Sequence, residues 1–459
     1  MAARQPLRDR GAFPVTGGSG RRATSDDPRS IAYDTLAAVS RDDAYANLVL
    51  PRLLTERKVT GRDAALATEL AYGASRARGT LDRIVASVTG RETASLDQPV
   101  ADVLRLGAYQ ILYTRVPAHA AVATSVSLVR KVAGHRPAGF VNAVLRKVAA
   151  RPLDSWLHKL SPSDPVGALA LRHAHPEWIV RAFAASLGDD AELPALLDAD
   201  NAAPSVHLCA RPGRVDRDEL AAATGGKPGA LSPYAVILPG GAPGDIPAVV
   251  DGGAHVQDEG SQAVAAALAA VPLEGRDERW LDLCAGPGGK AALLGSLAAQ
   301  RGATLDAVEV SAHRARLVEK TVAGLPVTVH EADGRTFGED GTYDRVLVDA
   351  PCTGLGALRR RPEARWRRQP SDIADLTVLQ TRLLASAIRL LRPGGVVAYV
   401  TCSPHLAETR EIAEAAEGVS AVDARPLFPG VDGLGPEPHV QLWPHRHGTD
   451  AMFLAVLRK

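Results

Sequence analysis

From Ser30 to about Ala150, apolar residues recur at spacings of three and four in IAYDTLAAV, ALATELAYGAS, VADVLRLGAYQILY and FVNAVLRKVAA. This is the period of helices that each bury one face. Breaks at Thr60-Gly61, Thr89-Gly90, Val116-Pro117 and Arg136-Pro137 separate them, so residues 29–150 are expected to form an all-α bundle. Residues 1–28, rich in Arg, Gly, Ser and Pro, show no such period and read as a disordered tail. Between 151 and 250 the composition shifts toward Pro, Gly, Asp and Ala. A helix around Trp178 to Leu187 and short strands at SVHLCA and YAVIL suggest a connecting α+β module there. From Asp251 to the end, at 459, the apolar runs RWLDLCA, TLDAVEV, VTVHEA, YDRVLVDA and GGVVAYVTC alternate with the helical stretches AALLGSLAAQ, RARLVEKTVAGL and ADLTVLQTRLLASAIRLL. Strands this apolar, alternating with helices, predict a parallel sheet covered on both faces, a doubly wound, Rossmann-like α/β domain over 251–459.

A chain of 459 residues, 46% hydrophobic and 23% charged, has room for two or three domains, which excludes one small binding module as the whole protein. Lys and Arg total 53 against 52 Asp and Glu, a formal charge of +1. Any affinity for nucleic acid must therefore come from where the charges sit. The cysteines at 209, 284, 352 and 402 lie 75, 68 and 50 residues apart, which excludes CxxC-type zinc and redox frameworks and a disulfide-dense secreted scaffold. No apolar run approaches the ~20 residues needed to cross a bilayer. The expectation is a cytoplasmic protein with reduced thiols, no metal and no membrane partner.

The candidate chemistry lies at the predicted strand ends. LDLCAGPGGKA runs from a strand into Cys284, Ala285, Gly286, Pro287, Gly288, Gly289 and Lys290, fitting the G-x-G-x-x-G/A turn whose glycines let a ligand approach the backbone. Glu309 ends the next strand 21 residues after Gly288, close to where such folds place a carboxylate on a ribose. This much indicates a nucleoside-containing cofactor and leaves NAD, FAD and S-adenosylmethionine open; a Walker loop is excluded by its spacing.

In open parallel sheets ligands bind beyond the carboxyl ends of the strands. Those ends here carry Cys284, Glu309, Asp333, Asp349 with Cys352, and Cys402. Prolines at 351 and 404 turn the chain beside the last two thiols. Two thiols and a carboxylate at one edge suit activation of a pyrimidine: a thiolate adds to carbon 6, carbon 5 becomes nucleophilic, and a second base removes its proton. Directly after Cys352, the segment from Leu358 to Arg368 carries six arginines against one glutamate. Arg359, Arg360, Arg361, Arg365 and Arg367 are expected to bind RNA phosphates, with Trp366 stacking on a base.

LDLCAGPGGK, VLVDAPCTGLGALRRRPEARW and YVTCSPH resemble the signature blocks of the S-adenosylmethionine-dependent RNA 5-methylcytosine methyltransferases. That resemblance implies Cys402 as nucleophile, Asp349 as a contact to cytosine and to the cofactor region, and Cys352 in product release. It also implies cofactor contacts on the loop 284–290, on Glu309, where aspartate is usual, and on Asp333. ELAYGASRARGTLD and the stretch from LRLGAYQILY to GFVNAVLRKV resemble the NusB-like RNA-binding domain. Together they point to the bacterial small-subunit rRNA cytosine methyltransferase B family, acting on 16S rRNA that is free or in early assembly. The alternatives are a non-catalytic RNA-binding or ribosome-assembly factor, a 5-methylcytosine methyltransferase acting on tRNA, and a nicotinamide-dependent oxidoreductase that would leave Cys352 and Cys402 without a role.

Overall fold

A computed structural model describes residues 27–459; the tail expected over 1–28 lies outside them except for its last two residues. The described chain forms two compact units, one of residues up to 202 with 358–369, the other of 203–357 with 370–459.

The first unit is helical: α1 (Pro28–Arg41), α2 (Ala46–Glu56), α3 (Gly61–Arg76), α4 (Arg78–Thr89), α5 (Gln98–Tyr113), α6 (Ala118–Ala133), α7 (Ala138–Ala149), α8 (Leu153–Leu160), α9 (Pro165–Arg172), α10 (Glu177–Leu187) and α11 (Leu193–Asn201). The breaks fall at the expected punctuation. Gly90, in the left-handed conformation, closes α4, and Pro117 and Pro137 immediately precede α6 and α7. The expectation of one buried face per helix fails for α5, where every residue from Val100 to Gln110 is buried. It is the central helix and packs against α1, α3, α4, α6 and α7. Its buried Arg105 is matched by carboxylates: Nε and Nη2 donate to Asp82 at 2.8 and 2.9 Å, and Nη1 donates to Asp102 at 2.9 Å. Burial of that charge is tolerable only with such pairing.

The connecting module expected over 151–250 is divided between the units. Trp156 belongs to the same core as α1–α7 and donates from Nε1 to the Val148 carbonyl at 3.0 Å, while Thr80 Oγ1 donates to the Leu171 carbonyl at 2.7 Å. The helices α8–α11 therefore extend the bundle, and the strands beyond them belong to the second unit.

In the second unit, β1 (His207–Ala210), β2 (Lys227–Pro228), β3 (Ala235–Ile237) and β4 (Ala254–Val256) form a small antiparallel sheet in the order β2-β3-β1-β4. Cys209 is fully buried in it, where desolvation raises its thiol pKa.

The main sheet contains β5 (Arg279–Asp282), β6 (Thr304–Glu309), β7 (Val327–Glu331), β8 (Tyr343–Asp349), β9 (Leu391–Thr401), β10 (Ser420–Val422), β11 (Val440–Gln441) and β12 (Phe453–Arg458), in the order β10-β12-β9-β8-β5-β6-β7 with β11 on β12. The five strands β5–β9 are parallel, as expected. The C-terminal strand β12 pairs antiparallel with β9, Phe453 opposite Thr401, and carries antiparallel β10 and β11, which makes the sheet mixed. Residues of β9 alternate between two cores. Val396, Ala398 and Val400 pack with the helices Glu259–Ala270 and Gly289–Gln300, whereas Val397 and Tyr399 pack with Asp372–Leu390. This is the period of two along a strand with both faces covered. The chain leaves β5 outward through β6 and β7, then returns to β8 on the other side of β5. A crevice is expected where the order reverses, beyond the carboxyl ends of β5 and β8.

Candidate active site

The strand β5 ends in a loop that enters the helix Gly289–Gln300 through Gly288, whose φ of +114° requires glycine. Gly286 is required for space, because a Cβ there would lie 2.2 Å from Glu309 Oε2. Glu309 closes the loop from the end of β6: Oε2 accepts the Gly286 N–H at 3.1 Å and Oε1 accepts the Ser311 N–H at 3.0 Å. Arg314 completes this corner, 3.4 Å from Glu309 Oε2 and donating to the Gly286 carbonyl at 2.6 Å. Arg314 was not singled out in the sequence; as one of several arginines on an ordinary helix it carries no local signal.

Lys290 Nζ donates to Asp349 Oδ2 at 2.8 Å, joining the cofactor-type loop to the end of β8. Burial alone would lower the Lys290 pKa, but the Asp349 carboxylate outweighs it and the net shift is upward. Asp282 lies beneath this pair, fully buried, with Oδ2 unpartnered. Burial, then the Asp349 charge, pushes its carboxyl up to about 7. The Cys284 thiol is raised by burial and then by Asp282, Asp349 and Glu309. Asp333 follows β7 at the same edge, its carboxylate bound by the Arg335 guanidinium at 2.5–3.0 Å. A glycine cradle without Cβ atoms, an acid at the end of the second strand and an orphaned buried carboxyl oxygen fit a nucleoside cofactor over Cys284–Lys290.

The two strand-end thiols meet. Cys352 Sγ and Cys402 Sγ are 3.4 Å apart, although 50 residues separate them in sequence. The loop after β8 is anchored beneath β9 by the Gly356 N–H donating to the Cys402 carbonyl at 2.8 Å. Gly356 has no room for a Cβ, which would sit 2.1 Å from the Ala451 carbonyl oxygen. The hydrogen bond with Cys402, followed by burial, raises the Cys352 thiol well above its ordinary value. Thr353, Ser403 and the fully buried Glu408 link the two loops. None of the three was read from the sequence, although Thr353 and Ser403 each follow a cysteine.

The arginine segment corrects an expectation. Arg365 is fully buried in the helical unit and donates to the Ala174 carbonyl at 3.0 Å, to Asn201 Oδ1 at 2.8 Å and to the Asp200 carbonyl at 3.3 Å. The Trp366 indole donates to the Ser75 carbonyl at 2.9 Å, and its ring fills the space above Gly79, where a Cβ would be 2.2 Å away. Arg367 donates to the carbonyls of Val39 and Ala44, Glu363 accepts the Ala46 N–H at 3.2 Å, and Arg359 is buried. Arg365, Trp366 and Arg367 therefore anchor the segment to the helices, and with the buried Arg359 they are not a surface for phosphates or bases. Arg361 remains exposed, its guanidinium over the Tyr45 ring, and Arg360 is half-buried.

Comparison with known proteins agrees with both units. Residues 270–458 match the family model described as 16S rRNA methyltransferase RsmB/F, and residues 26–150 match that of the NusB family. A methyltransferase of Mycobacterium tuberculosis is 57% identical, covering 96% of this chain and 98% of that protein. The ribosomal RNA small subunit methyltransferase B of Erwinia tasmaniensis is 32% identical, over 94% of this chain and 98% of that protein. Among solved structures, PH0851 superposes with a TM-score of 0.79 at 22% identity, over 96% of this chain and 100% of that one, a likeness of fold. The chain thus belongs to the RsmB/F family of 16S rRNA methyltransferases, as an S-adenosylmethionine-dependent RNA methyltransferase with a NusB-like helical domain.

Proposed function

We propose that the protein methylates carbon 5 of a cytosine in 16S rRNA through a covalent adduct with Cys402, acting in the cytoplasm on RNA that is free or in early assembly. The observation that carries this reading is the Cys352–Cys402 pair, 3.4 Å between sulfurs, at the sheet edge where Asp349 ends β8 and meets Lys290 of the helix Gly289–Gln300. S-adenosylmethionine, held by Cys284–Lys290 with Glu309 and Asp333, supplies an electrophilic methyl group. The remaining work falls to the side chains. Cys402 gives up its proton to solvent and its sulfur bonds to carbon 6. Asp349, with the Lys290 ammonium at 2.8 Å, lies along the ring edge where charge develops. Carbon 5 takes the methyl group. Cys352, its own thiol proton released to solvent, then removes the carbon 5 proton as a thiolate, and the Cys402–carbon 6 bond breaks to restore the aromatic ring and the Cys402 thiolate.

The order of proton transfers follows from the pair. Cys402 raises the Cys352 thiol, first by their hydrogen bond and further by charge. Once the Cys402 sulfur is a thioether both influences vanish, so Cys352 becomes easier to deprotonate at the stage where a base is needed. Access to the face of the ring requires the cytosine to leave its stack.

The RNA backbone is assigned to the helical unit. Between Asp102 and Asp154 there is no acidic residue, and Arg130, Lys131, Arg136, Arg146, Lys147 and Arg151 are all exposed on or beside α6 and α7. Exposed cations without interspersed carboxylates suit phosphate neutralisation.

Transfer of labelled methyl from S-adenosylmethionine to protein-free small-subunit rRNA tests this reading, with bisulfite mapping of the product. One labelled cytosine, lost in Cys402→Ala, is expected. Label confined to tRNA would reassign the substrate, and no label on either RNA despite intact cofactor binding would overturn catalysis in favour of a binding or assembly role.

A further inference from the structure

Glu408 lies six residues past Cys402 and is fully buried. Its Oε1 accepts the Thr353 N–H at 2.8 Å and Gln380 Nε2 at 3.2 Å. Its Oε2 accepts the hydroxyl of Thr353 and, at 2.7 Å, that of Ser403. Thr353 directly follows Cys352 and Ser403 directly follows Cys402, so one carboxylate holds the residue after each thiol. Gln380, on the helix Asp372–Leu390, also donates to the Pro351 carbonyl at 2.9 Å, which fixes the residue before Cys352 as well. Glu408 is itself held by Tyr399, whose hydroxyl donates to its backbone carbonyl at 2.8 Å.

Burying a carboxylate is costly unless donors replace its hydration. Here four donors from three chain segments converge on its two oxygens, close to the acceptor capacity of the group. Packing alone would be served by an apolar residue of the same volume. What the carboxylate adds is a fixed relation between two loops that end different strands.

We propose that Glu408 is the positioning residue of the cysteine pair, holding both sulfurs in register through Thr353 and Ser403 without touching the substrate. This rests on the covalent reading above. An amide at position 408 keeps the shape but presents a neutral donor where the hydroxyls of Thr353 and Ser403 now donate to a carboxylate, so these charge-assisted ties become weaker bonds, at least one hydroxyl hydrogen loses its acceptor, and the two loops are held less tightly. Each loop needs only a small displacement to matter, because misplacement of a reacting group by about 1 Å can cost on the order of 100-fold in rate.

The test uses the full chain with Glu408→Gln, and has two readouts. The first is methyl transfer to small-subunit rRNA. In Glu408→Gln, kcat is expected to fall by about tenfold or more, with KM for RNA and the affinity for S-adenosylmethionine changed by no more than about twofold. The second needs no RNA. Diamide, an azo oxidant, takes up the two thiol hydrogens as the Cys352–Cys402 disulfide forms, and the rate of that reaction should fall in the variant by a similar factor. Unchanged kcat and unchanged thiol oxidation would overturn the proposal, and so would a loss of kcat with thiol oxidation unaltered. If wild type transfers no methyl group, the covalent reading fails alone, and the oxidation rate still decides the role of Glu408. Should Glu408→Gln not fold, Thr353→Val and Ser403→Ala each remove one arm, and each is expected to slow both reactions less than the full replacement.

Discussion

Cys352 and Arg365 are thirteen residues apart in the chain, and both sit among residues rich in chemical possibility. The cysteine is carried by a loop pinned between β8 and β9 and meets Cys402 at 3.4 Å. The arginine belongs with residues 358–369 to the helical unit and satisfies backbone carbonyls there. A thiol at the end of a predicted strand is placed by topology, since the parallel order of β8 and β9 brings the two strand ends together. A run of arginines has no such constraint. Five donors on a planar head serve a row of buried carbonyls as well as they serve a phosphate, and the same spacing of residues fits both.

Substitution of Cys402 gives the largest expected effect and bears directly on the thiol side of this comparison. Cys402→Ala should remove methyl transfer altogether, together with any protein–RNA adduct seen on denaturing gels. Cys352→Ala should retain attack and accumulate the adduct, because the base for the carbon 5 proton is missing. A Cys352→Ala enzyme that turns over normally would dissolve the division of labour between the two sulfurs.

Arg365 tests the other side. Arg365→Leu leaves three acceptors without their donor in a buried site, at about 1–3 kcal/mol for each group left unsatisfied. Allowing for relaxation, a loss of about 3 kcal/mol in unfolding free energy is expected from urea titrations. The salt dependence of RNA binding should stay as in wild type, since that guanidinium meets no phosphate. A shallower slope of log Kd against log salt would restore the RNA-contact role of the segment.

The legibility of this molecule follows the same division. The five parallel strands, the glycine turn and the strand-end residues could all be read, because each depends on a local pattern: period two, a strand entering a helix, proline after the last strand residue. The strand β12 was missed, as FLAVLR is a short apolar run with no helix after it and pairs with a partner more than fifty residues earlier. The burial of α5 went unread because Asp102 and Arg105 make it look amphipathic, and only their pairing with each other and with Asp82 hides the charge. Glu408 was equally silent, an acid in a polar loop whose donors come from three separate segments.

A smaller effect is expected on α6 and α7, where the exposed cations stand in for those that proved to be buried. Combining Arg130→Gln, Lys131→Gln, Arg146→Gln and Lys147→Gln should weaken RNA binding by about tenfold to 100-fold at moderate salt. It should also reduce the salt slope by roughly 0.7–0.9 for each phosphate that is no longer neutralised. Because these residues lie on the surface, the unfolding midpoint should hardly move, the reverse of what Arg365→Leu predicts. Unaltered affinity and slope would mean that RNA meets another face.

The smallest effect concerns Asp282, a buried charge of the α/β unit to set beside Arg365. Its carboxyl is pushed up to about 7, by burial first and then by Asp349, from about 3.9 in an unfolded chain. Between these values the native state binds more protons than the unfolded state, so the stability this group contributes is fully present below about pH 4 and is lost as pH rises through about 7. Asparagine resembles the protonated acid and does not titrate. Asp282→Asn should therefore flatten the fall in stability between about pH 4 and 7 and leave the variant about 1–2 kcal/mol more stable than wild type at pH 8, well within the full shift once coupling to Lys290 is allowed for. Urea unfolding at several pH values measures this difference. Parallel pH profiles for the two proteins would mean that the Lys290 ammonium offsets burial and the Asp349 charge in the native state, leaving the thiols as the groups at this edge whose proton occupancy is set by the fold.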